Sequence, residues 1–158
     1  MNFRPNFTFT KDENGIPIAE KEKKYESVDK YMATDLITFG LDQDLQEVIN
    51  SMITHEISGA PVLDNNNNLV GIITEKDCLK AIIDVDYHNQ PLSKGKVKDY
   101  MTKDVQTVSI ENDVLDVANA FLKTHFRRFP VVNDGKLIGQ VSRRDILKAA
   151  NSIEATTW

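Results

Sequence analysis

Val28-Asp-Lys-Tyr-Met-Ala-Thr-Asp35 reads against Val97-Lys-Asp-Tyr-Met-Thr-Lys-Asp104, 69 residues further along the chain. At the same offset Thr38 meets Thr107, Asp44 meets Asp113, Val48 meets Val117, Asn50 meets Asn119, and Pro61-Val62 meets Pro130-Val131. The second copy is then one residue shorter in its turn, and the offset becomes 68. From there Leu69 meets Leu137, Gly71 meets Gly139, Asp77 meets Asp145, and Leu79-Lys80-Ala81 meets Leu147-Lys148-Ala149. One gap, confined to a turn, with the register kept on both sides of it, marks a duplicated unit.

Within one copy, Val28 to Met32 has the apolar spacing of a single helical turn, and Leu36-Ile-Thr-Phe39 is a brief β-rich run. Asp42 or Asp44 can cap the next segment. There Leu45, Val48, Ile49, Met52 and Ile53 fall at the i, i+3, i+4, i+7, i+8 positions of an amphipathic helix, repeated by Val114, Val117, Ala118, Phe121 and Leu122. Ala60-Pro-Val-Leu63 reads as a strand that starts at a proline. Asp64-Asn-Asn-Asn-Asn68 is a turn, because Asn and Asp tolerate left-handed φ and bond their own backbone. Leu69 to Thr74 is a second strand. Glu75 to Ile83 is a second helix, with Cys78, Leu79, Ile82 and Ile83 on its apolar side.

The unit is therefore β-α-β-β-α, and the fold class is mixed α/β (α+β), two such units packed as a pseudo-two-fold pair. One unit of about 55 residues lies near the lower limit of independent stability, so two copies packed together cover faces that neither covers alone. The first unit spans 28–83 and the second 97–151. Residues 84–96, with Pro91 and Gly95, connect them. Residues 1–27 form an N-terminal extension. In it Phe7-Thr-Phe-Thr10 and Ile16-Pro-Ile18 flank a turn-like Asp12-Glu-Asn-Gly15 as a possible hairpin, and Glu20 to Glu26 is charged helix or linker. Residues 152–158 are a tail ending in Trp158.

Composition narrows the function. Of 158 residues, 41% are hydrophobic and 27% charged, the range of globular domains, and the net charge of −5 argues against a nucleic-acid partner. An anionic ligand is not excluded, because local charge can oppose net charge. The one cysteine, Cys78, allows no intrachain disulfide and no all-Cys metal site, and His55, His88 and His125 form no metal-spaced cluster with it. No metal and no required cofactor is expected. No apolar run reaches the roughly 20 residues of a membrane span. The N-terminus lacks the apolar core of a signal peptide, so no membrane partner and a cytoplasmic location are the expectation. Asn6-Phe7-Thr8 matches a glycosylation sequon without secretory context. No nucleophile–base pattern, Walker loop or GxGxxG is present, and no catalytic residue is assigned.

Two stretches can carry binding chemistry: Gly71-Ile-Ile-Thr-Glu-Lys-Asp77 and Gly139-Gln-Val-Ser-Arg-Arg-Asp145. A strand ending in Thr or Ser and followed by a helix sets a hydroxyl at the helix N-terminus, where free N–H groups suit phosphate or ribose oxygens. The Asp three residues on can accept two hydrogen bonds from vicinal hydroxyls. The same spacing also suits Thr74 and Ser142 as helix caps completed by Asp77 and Asp145, which needs no ligand. Spacing does not choose between these readings.

The order strand, helix, Pro-Val strand, turn, Gly-hydrophobic-hydrophobic-Thr/Ser-x-x-Asp, helix resembles the CBS domain, and a tandem pair resembles a Bateman module. The resemblance covers Val28 to Ala150. It implies a non-enzymatic regulatory module that binds an adenosine-containing ligand of the AMP, ADP or ATP class between the units. Alternatives are S-adenosylmethionine, a cyclic dinucleotide, or a structural dimerisation module with empty clefts. It implies a homodimer and a separate effector protein. Carried over residue by residue, it gives a main cleft of Thr38, Ile57, Ser58, Ser142 and Asp145, and a weaker one of Thr74, Asp77, Thr107 and Phe126. Phosphate-binding members carry His-Arg before the hydrophobic-Pro-Val. Here Arg127-Arg128-Phe129-Pro130-Val131 stands against Ser58-Gly59-Ala60-Pro61-Val62. Arg127 and Arg128 are therefore expected on a phosphate in the main cleft, as forked cations.

Overall fold

The structure is a computed structural model that describes residues 25–155. The possible hairpin before residue 25, the sequon at Asn6 and Trp158 lie outside these residues. After a 3-10 turn at Val28–Lys30, the first unit runs β1 (Phe39–Gly40), α1 (Leu45–Thr54), β2 (Gly59–Leu63), β3 (Leu69–Thr74) and α2 (Glu75–Tyr87). The second runs α3 (Val97–Tyr100), β4 (Val108–Ser109), α4 (Val114–Leu122), β5 (Arg128–Asn133), β6 (Lys136–Ser142) and α5 (Arg143–Ala155). Each unit holds a three-stranded sheet, β1-β2-β3 or β4-β5-β6, in which the first pair is parallel and the second antiparallel.

Side-chain caps open α1, α2 and α4. The Asp44 carboxylate accepts from the Glu47 N–H at 2.9 Å and opens α1. Asp113 and Asp116 exchange the two bonds of a capping box at α4, as Thr74 and Asp77 do at α2. Leu45, Val48 and Met52 are buried on α1, and their repeat partners Val114, Val117 and Phe121 on α4.

Several expectations shift. The first strand holds only Phe39 and Gly40, because Leu36 to Thr38 find no partner strand. Pro61 does not open its strand but stands third in β2, a central strand. It is tolerated because β1 pairs with β2 only at Val62 and Leu63, so no ladder bond is asked of the proline nitrogen on that side. Helix α2 runs on to Tyr87, so the expected connection of 84–96 is helical at its start and makes a 3-10 turn at Leu92–Lys94. The apolar side expected of α2 divides in two. Cys78 and Ala81 are buried, whereas Leu79 (61% exposed), Ile82 and Ile83 (71%) face outward.

The two cores exchange their leading segments. Val28 is buried among Val108, Val117, Phe129, Val131 and Val141 of the second unit. Val97 is buried among Phe39, Leu45, Val62 and Ile73 of the first. Backbone bonds fix each segment on the other sheet: Ala33 and Gln140 exchange bonds of 2.8 and 2.9 Å, as do Thr102 and Ile72. The methionine of each Tyr-Met pair lies over the glycine of the opposite motif. A Cβ on Gly71 would stand 2.6 Å from Met101 Sδ and 2.9 Å from the Thr102 carbonyl, and one on Gly139 would run into Met32 and the Ala33 carbonyl. Both motif glycines are thus required by close approach rather than by φ. The hairpin tips also touch, through the Leu69 N–H donating to the Gly135 carbonyl at 3.2 Å.

Candidate functional site

A cleft of about 1080 Å³ opens between the units. The first unit lines it with Ser58, Gly59, Ala60 and Pro61 from β2 and its approach, Ile72 and Thr74 from β3, and Lys76 from the first turn of α2. The second unit contributes their repeat partners Arg127, Arg128, Pro130, Gln140, Ser142 and Arg144, with His125, Phe126 and Arg143 beside them. The stretch Thr102, Asp104, Val105 and Gln106 closes one side.

The sheet register explains why these residues meet. In the β5–β6 ladder Arg128 pairs with Ser142, so both side chains stand on one face of the sheet, about 5 Å apart at Cβ. The Arg143 N–H donates to the Arg127 carbonyl at 3.2 Å and ties the start of α5 to the approach of β5. In the first unit Gly59 pairs with Thr74, and the Glu75 N–H donates to the Ser58 carbonyl at 2.9 Å. The backbone is the same, but a Cβ on Gly59 would stand 3.0 Å from the Ile73 carbonyl. A side chain at Gly59 would require that carbonyl to give by a few tenths of an ångström.

Both capping arrangements are complete. Asp145 Oδ2 accepts from the Ser142 N–H at 2.8 Å and the Ser142 hydroxyl at 2.7 Å, while the Asp145 N–H donates back to Ser142 Oγ at 3.1 Å. Asp77 and Thr74 repeat this at 2.8, 2.8 and 3.4 Å. The hydroxyl hydrogens of Thr74 and Ser142 are therefore spent inside the protein. What each motif offers a ligand is the second carboxylate oxygen, an acceptor suited to a ribose hydroxyl and not to a phosphate. Cationic donors for an anion come from the arginines and Lys76.

Of the residues expected in the main cleft, Ser58, Arg127, Arg128 and Ser142 line the cavity, and Thr38, Ile57 and Asp145 do not. Of the second set, Thr74 and Phe126 line it, and Asp77 and Thr107 do not. The two sets were expected in separate clefts, yet their lining members share this one. The Asp77 and Asp145 carboxylates hold the lining hydroxyls of Thr74 and Ser142. Thr102 to Gln106 reach the cleft beside β3 of the first unit, because the exchanged segment 97–102 pairs there through Thr102 and Ile72. Arg143 and Arg144, whose place inside the second motif offers positive potential, line the cavity, and Lys76, Gln140 and His125 are lining residues that the motif spacing did not single out.

Electrostatically the lining holds five cations, Lys76, Arg127, Arg128, Arg143 and Arg144, and one carboxylate, Asp104. None of the five forms an ion pair among the described residues, where the ion pairs are Lys30–Glu26 and Lys98–Asp42. No group of His, Cys, Asp and Glu among the described residues is arranged to hold a metal ion. No helix among them is long and apolar enough to cross a membrane.

Two repeat-related α/β units, each a three-stranded sheet with its helices, built around a shared cleft, define a paired module. A family model described as CBS domain matches residues 28–84 and 97–152. The chain belongs to the CBS domain family. It is 32% identical over 127 residues to the uncharacterized protein MJ1225 of Methanocaldococcus jannaschii, covering 80% of this chain and 44% of that protein. It is 40% identical over 121 residues to an inosine-5'-monophosphate dehydrogenase of the same organism, covering 76% of this chain and 23% of the enzyme. The chain thus spans less than half the length of these two relatives. Among solved structures it is similar to CBSX2 in complex with AMP, at 30% identity and a TM-score of 0.69 over 81% of this chain and 98% of that one. It is also similar to the CBS domain pair of protein MJ0100 in complex with 5'-methylthioadenosine and S-adenosyl-L-methionine, at 27% identity and a TM-score of 0.65, covering 81% and 98%.

Proposed function

We propose that the cleft binds an adenosine nucleotide of the AMP, ADP or ATP class and that the chain is a regulatory module with no chemistry of its own. One observation carries this reading: Arg127 and Arg128 lie in an inter-unit cavity with no ion pair among the described residues, Arg128 directly across the ladder from Ser142. In this reading the guanidiniums hold phosphate, the free oxygens of the Asp145 and Asp77 carboxylates accept ribose hydroxyls, and Ile72, Val105, Pro61 and Pro130 supply apolar surface for the base. Support comes from the adenosine-type ligands that the two solved neighbours hold. A ligand touching both halves favours one packing of the units, and a partner that reads that packing receives the signal.

The outward faces of the helices support a homodimer as the form of the module. Leu79, Ile82, Ile83 and Tyr87 on α2, Ile53 on α1, Leu122 on α4 and Leu147 on α5 are large apolar side chains left exposed. Ile53 and Leu122 occupy equivalent repeat positions, as do Leu79 and Leu147. Recurrence of an exposed apolar face in both copies points to a covered surface. The cytoplasm is the compartment that fits this reading.

Thermal shift tests the site. At least one of AMP, ADP, ATP, S-adenosylmethionine and cyclic dinucleotides raises the melting temperature, and Arg128→Ala and Asp145→Ala each abolish that rise. Asp145→Ala also loses a cap and lowers the unliganded midpoint, so each variant is compared with its own baseline. The complete capping boxes favour a second reading, a structural module with an empty cleft. A panel in which nothing stabilises the protein supports that one instead.

A further inference from the structure

Met32 and Met101 occupy equivalent repeat positions, one in each exchanged segment. Each thioether fills the notch over the other unit's motif glycine. A Cβ on Gly71 would stand 2.6 Å from Met101 Sδ, and one on Gly139 would run into Met32 Sδ. An unbranched, polarisable side chain suits so narrow a gap. Both methionines are only partly buried, whereas Met52 lies in the first core at 5% exposure.

The backbone N–H groups of each seam are already spent. The Thr102 N–H donates to the Ile72 carbonyl at 2.8 Å, and the Ile72 N–H donates back to the Thr102 carbonyl at 2.9 Å. Ala33 and Gln140 exchange the same pair of bonds on the other seam. The Thr102 and Ala33 carbonyl oxygens each stand 2.9 Å from the Cβ positions that the sulfurs crowd. Beside each sulfur there is thus an acceptor, which a thioether tolerates and a further oxygen does not.

We propose that Met32 and Met101 form a paired oxidation site at which hydrogen peroxide loosens the seam between the units. A sulfur lone pair attacks the peroxide O–O bond. One oxygen passes to sulfur, and its proton joins the departing hydroxide as water. Sulfur loses two electrons and becomes the sulfoxide, and the peroxide is reduced. In the notch the new oxygen meets a carbonyl oxygen instead of a donor. It is satisfied by swinging into water, which empties the notch and removes the contact that seats each leading segment on β3 or β6. Ile72, Thr102 and Gln140 all line the cleft, so the change reaches the cleft walls whatever the cleft binds. A dithiol reductant reverses the step: the sulfoxide oxygen leaves as water and two thiols close to a disulfide.

Peroxide treatment of the whole chain, followed by peptide mass mapping, melting and amide exchange, tests this. The expected result is one added oxygen at Met32 and one at Met101, while Met52 stays unmodified until denaturant is added. The doubly oxidised chain melts at least about 3 °C lower. Its Ala33, Ile72, Thr102 and Gln140 amides exchange at least about tenfold faster. Methionine sulfoxide reductases acting on both sulfoxide epimers restore the parent values. Met32→Leu with Met101→Leu, a change that nearly conserves volume, folds and shows neither response to peroxide. Met52 oxidised as fast as the other two, or an oxidised chain with the parent's melting temperature and exchange, overturns the inference. So does a leucine variant that loses as much on treatment as the parent, which puts the damage elsewhere, at Cys78 for instance. If the double variant does not fold, exchange in the oxidised parent decides alone: acceleration strongest at the four seam amides upholds the inference, and acceleration spread evenly or absent overturns it.

Discussion

Replacing Gly139 by alanine adds one methyl group where the opposite unit's leading segment crosses β6. That methyl runs into Met32 Sδ, lies 2.8 Å from Met32 Cγ and stands 2.9 Å from the Ala33 carbonyl oxygen. The methionine can swing aside. The carbonyl cannot, because Ala33 and Gln140 exchange backbone bonds of 2.8 and 2.9 Å at this point. Overpacking of this kind costs about 1–3 kcal/mol. Loosening either backbone bond adds about 1 kcal/mol. A loss of about 2–4 kcal/mol lowers the melting temperature by roughly 2–4 °C per kcal/mol in a chain of this size. Circular dichroism or calorimetry should thus find Gly139→Ala down by about 4 °C at the least. Removing the thioether relieves the part of the clash that it causes, so Gly139→Ala with Met32→Ala is less destabilised than the sum of the single variants. Hydrogen exchange at the Ala33 and Gln140 amides should accelerate in Gly139→Ala. A melting temperature within about 1 °C of the parent, or single effects that add within about 0.5 kcal/mol, would refute the packing argument.

Three further outcomes are expected. Burial, with Asp77 and Glu75 adding to it, pushes the Cys78 thiol above its ordinary range. Its neutral form is favoured in the fold, so this stabilisation is full below the unfolded thiol's pKa and is lost as pH rises through the folded value. Thiol reagents at pH 8 should label it slowly until denaturant is added, and fast labelling of the native chain would contradict its burial. The Asn68 amide, with the Asn68 and Asn66 backbone N–H groups, holds the Asp64 carboxyl below its usual value. Its stabilisation is present above the unfolded carboxyl pKa and is lost as pH falls through the lowered folded one, so Asp64→Asn should flatten the acid limb of melting temperature against pH, and an unchanged limb would rule the turn out. Ile83→Lys, at an exposed position on α2, should shift the mass measured by light scattering from dimer to monomer with little change in folding, whereas a parent that is already monomeric removes the dimer proposal.

Much of the fold could be read from the repeat. The offset located both units, and the i, i+3, i+4 spacing found α1 and α4 with their buried residues Leu45, Val48, Val114 and Val117. Alternation and spacing report a side chain's neighbours along its own element, and they were least informative where a partner lies far off in sequence. Nothing near Leu79, Ile82 and Ile83 says that the core stops at Cys78 and Ala81. The exchange was hidden for the same reason, since Val28 suits the core of either unit equally well. At the site, the contrast of Arg127-Arg128 with Ser58-Gly59 was visible, and the structure adds a tight contact between a Cβ at Gly59 and the Ile73 carbonyl. Thr102 to Gln106 were missed because a loop carries no periodic signal, and only the crossing of segment 97–102 brings it to the cleft.

The crossing of the leading segments has a consequence for the order in which the chain matures. Every side chain of the first core, from Ile37 to Met101, lies on one unbroken stretch. The second core is assembled from Tyr25, Val28, Tyr31 and Met32 together with residues 108–149. The repeats succeed one another in sequence, but the cores do not: the first is an insertion within the second. On a ribosome the inner core can close once residue 102 has emerged, while Val28 waits through some eighty residues of synthesis for its partners. The inner body then holds the two parts of the outer one near each other and shortens the loop that must close. A fragment cut at the repeat boundary would carry away Val97 and leave the first core with a hole, whereas one running from residue 36 to residue 103 keeps that core whole.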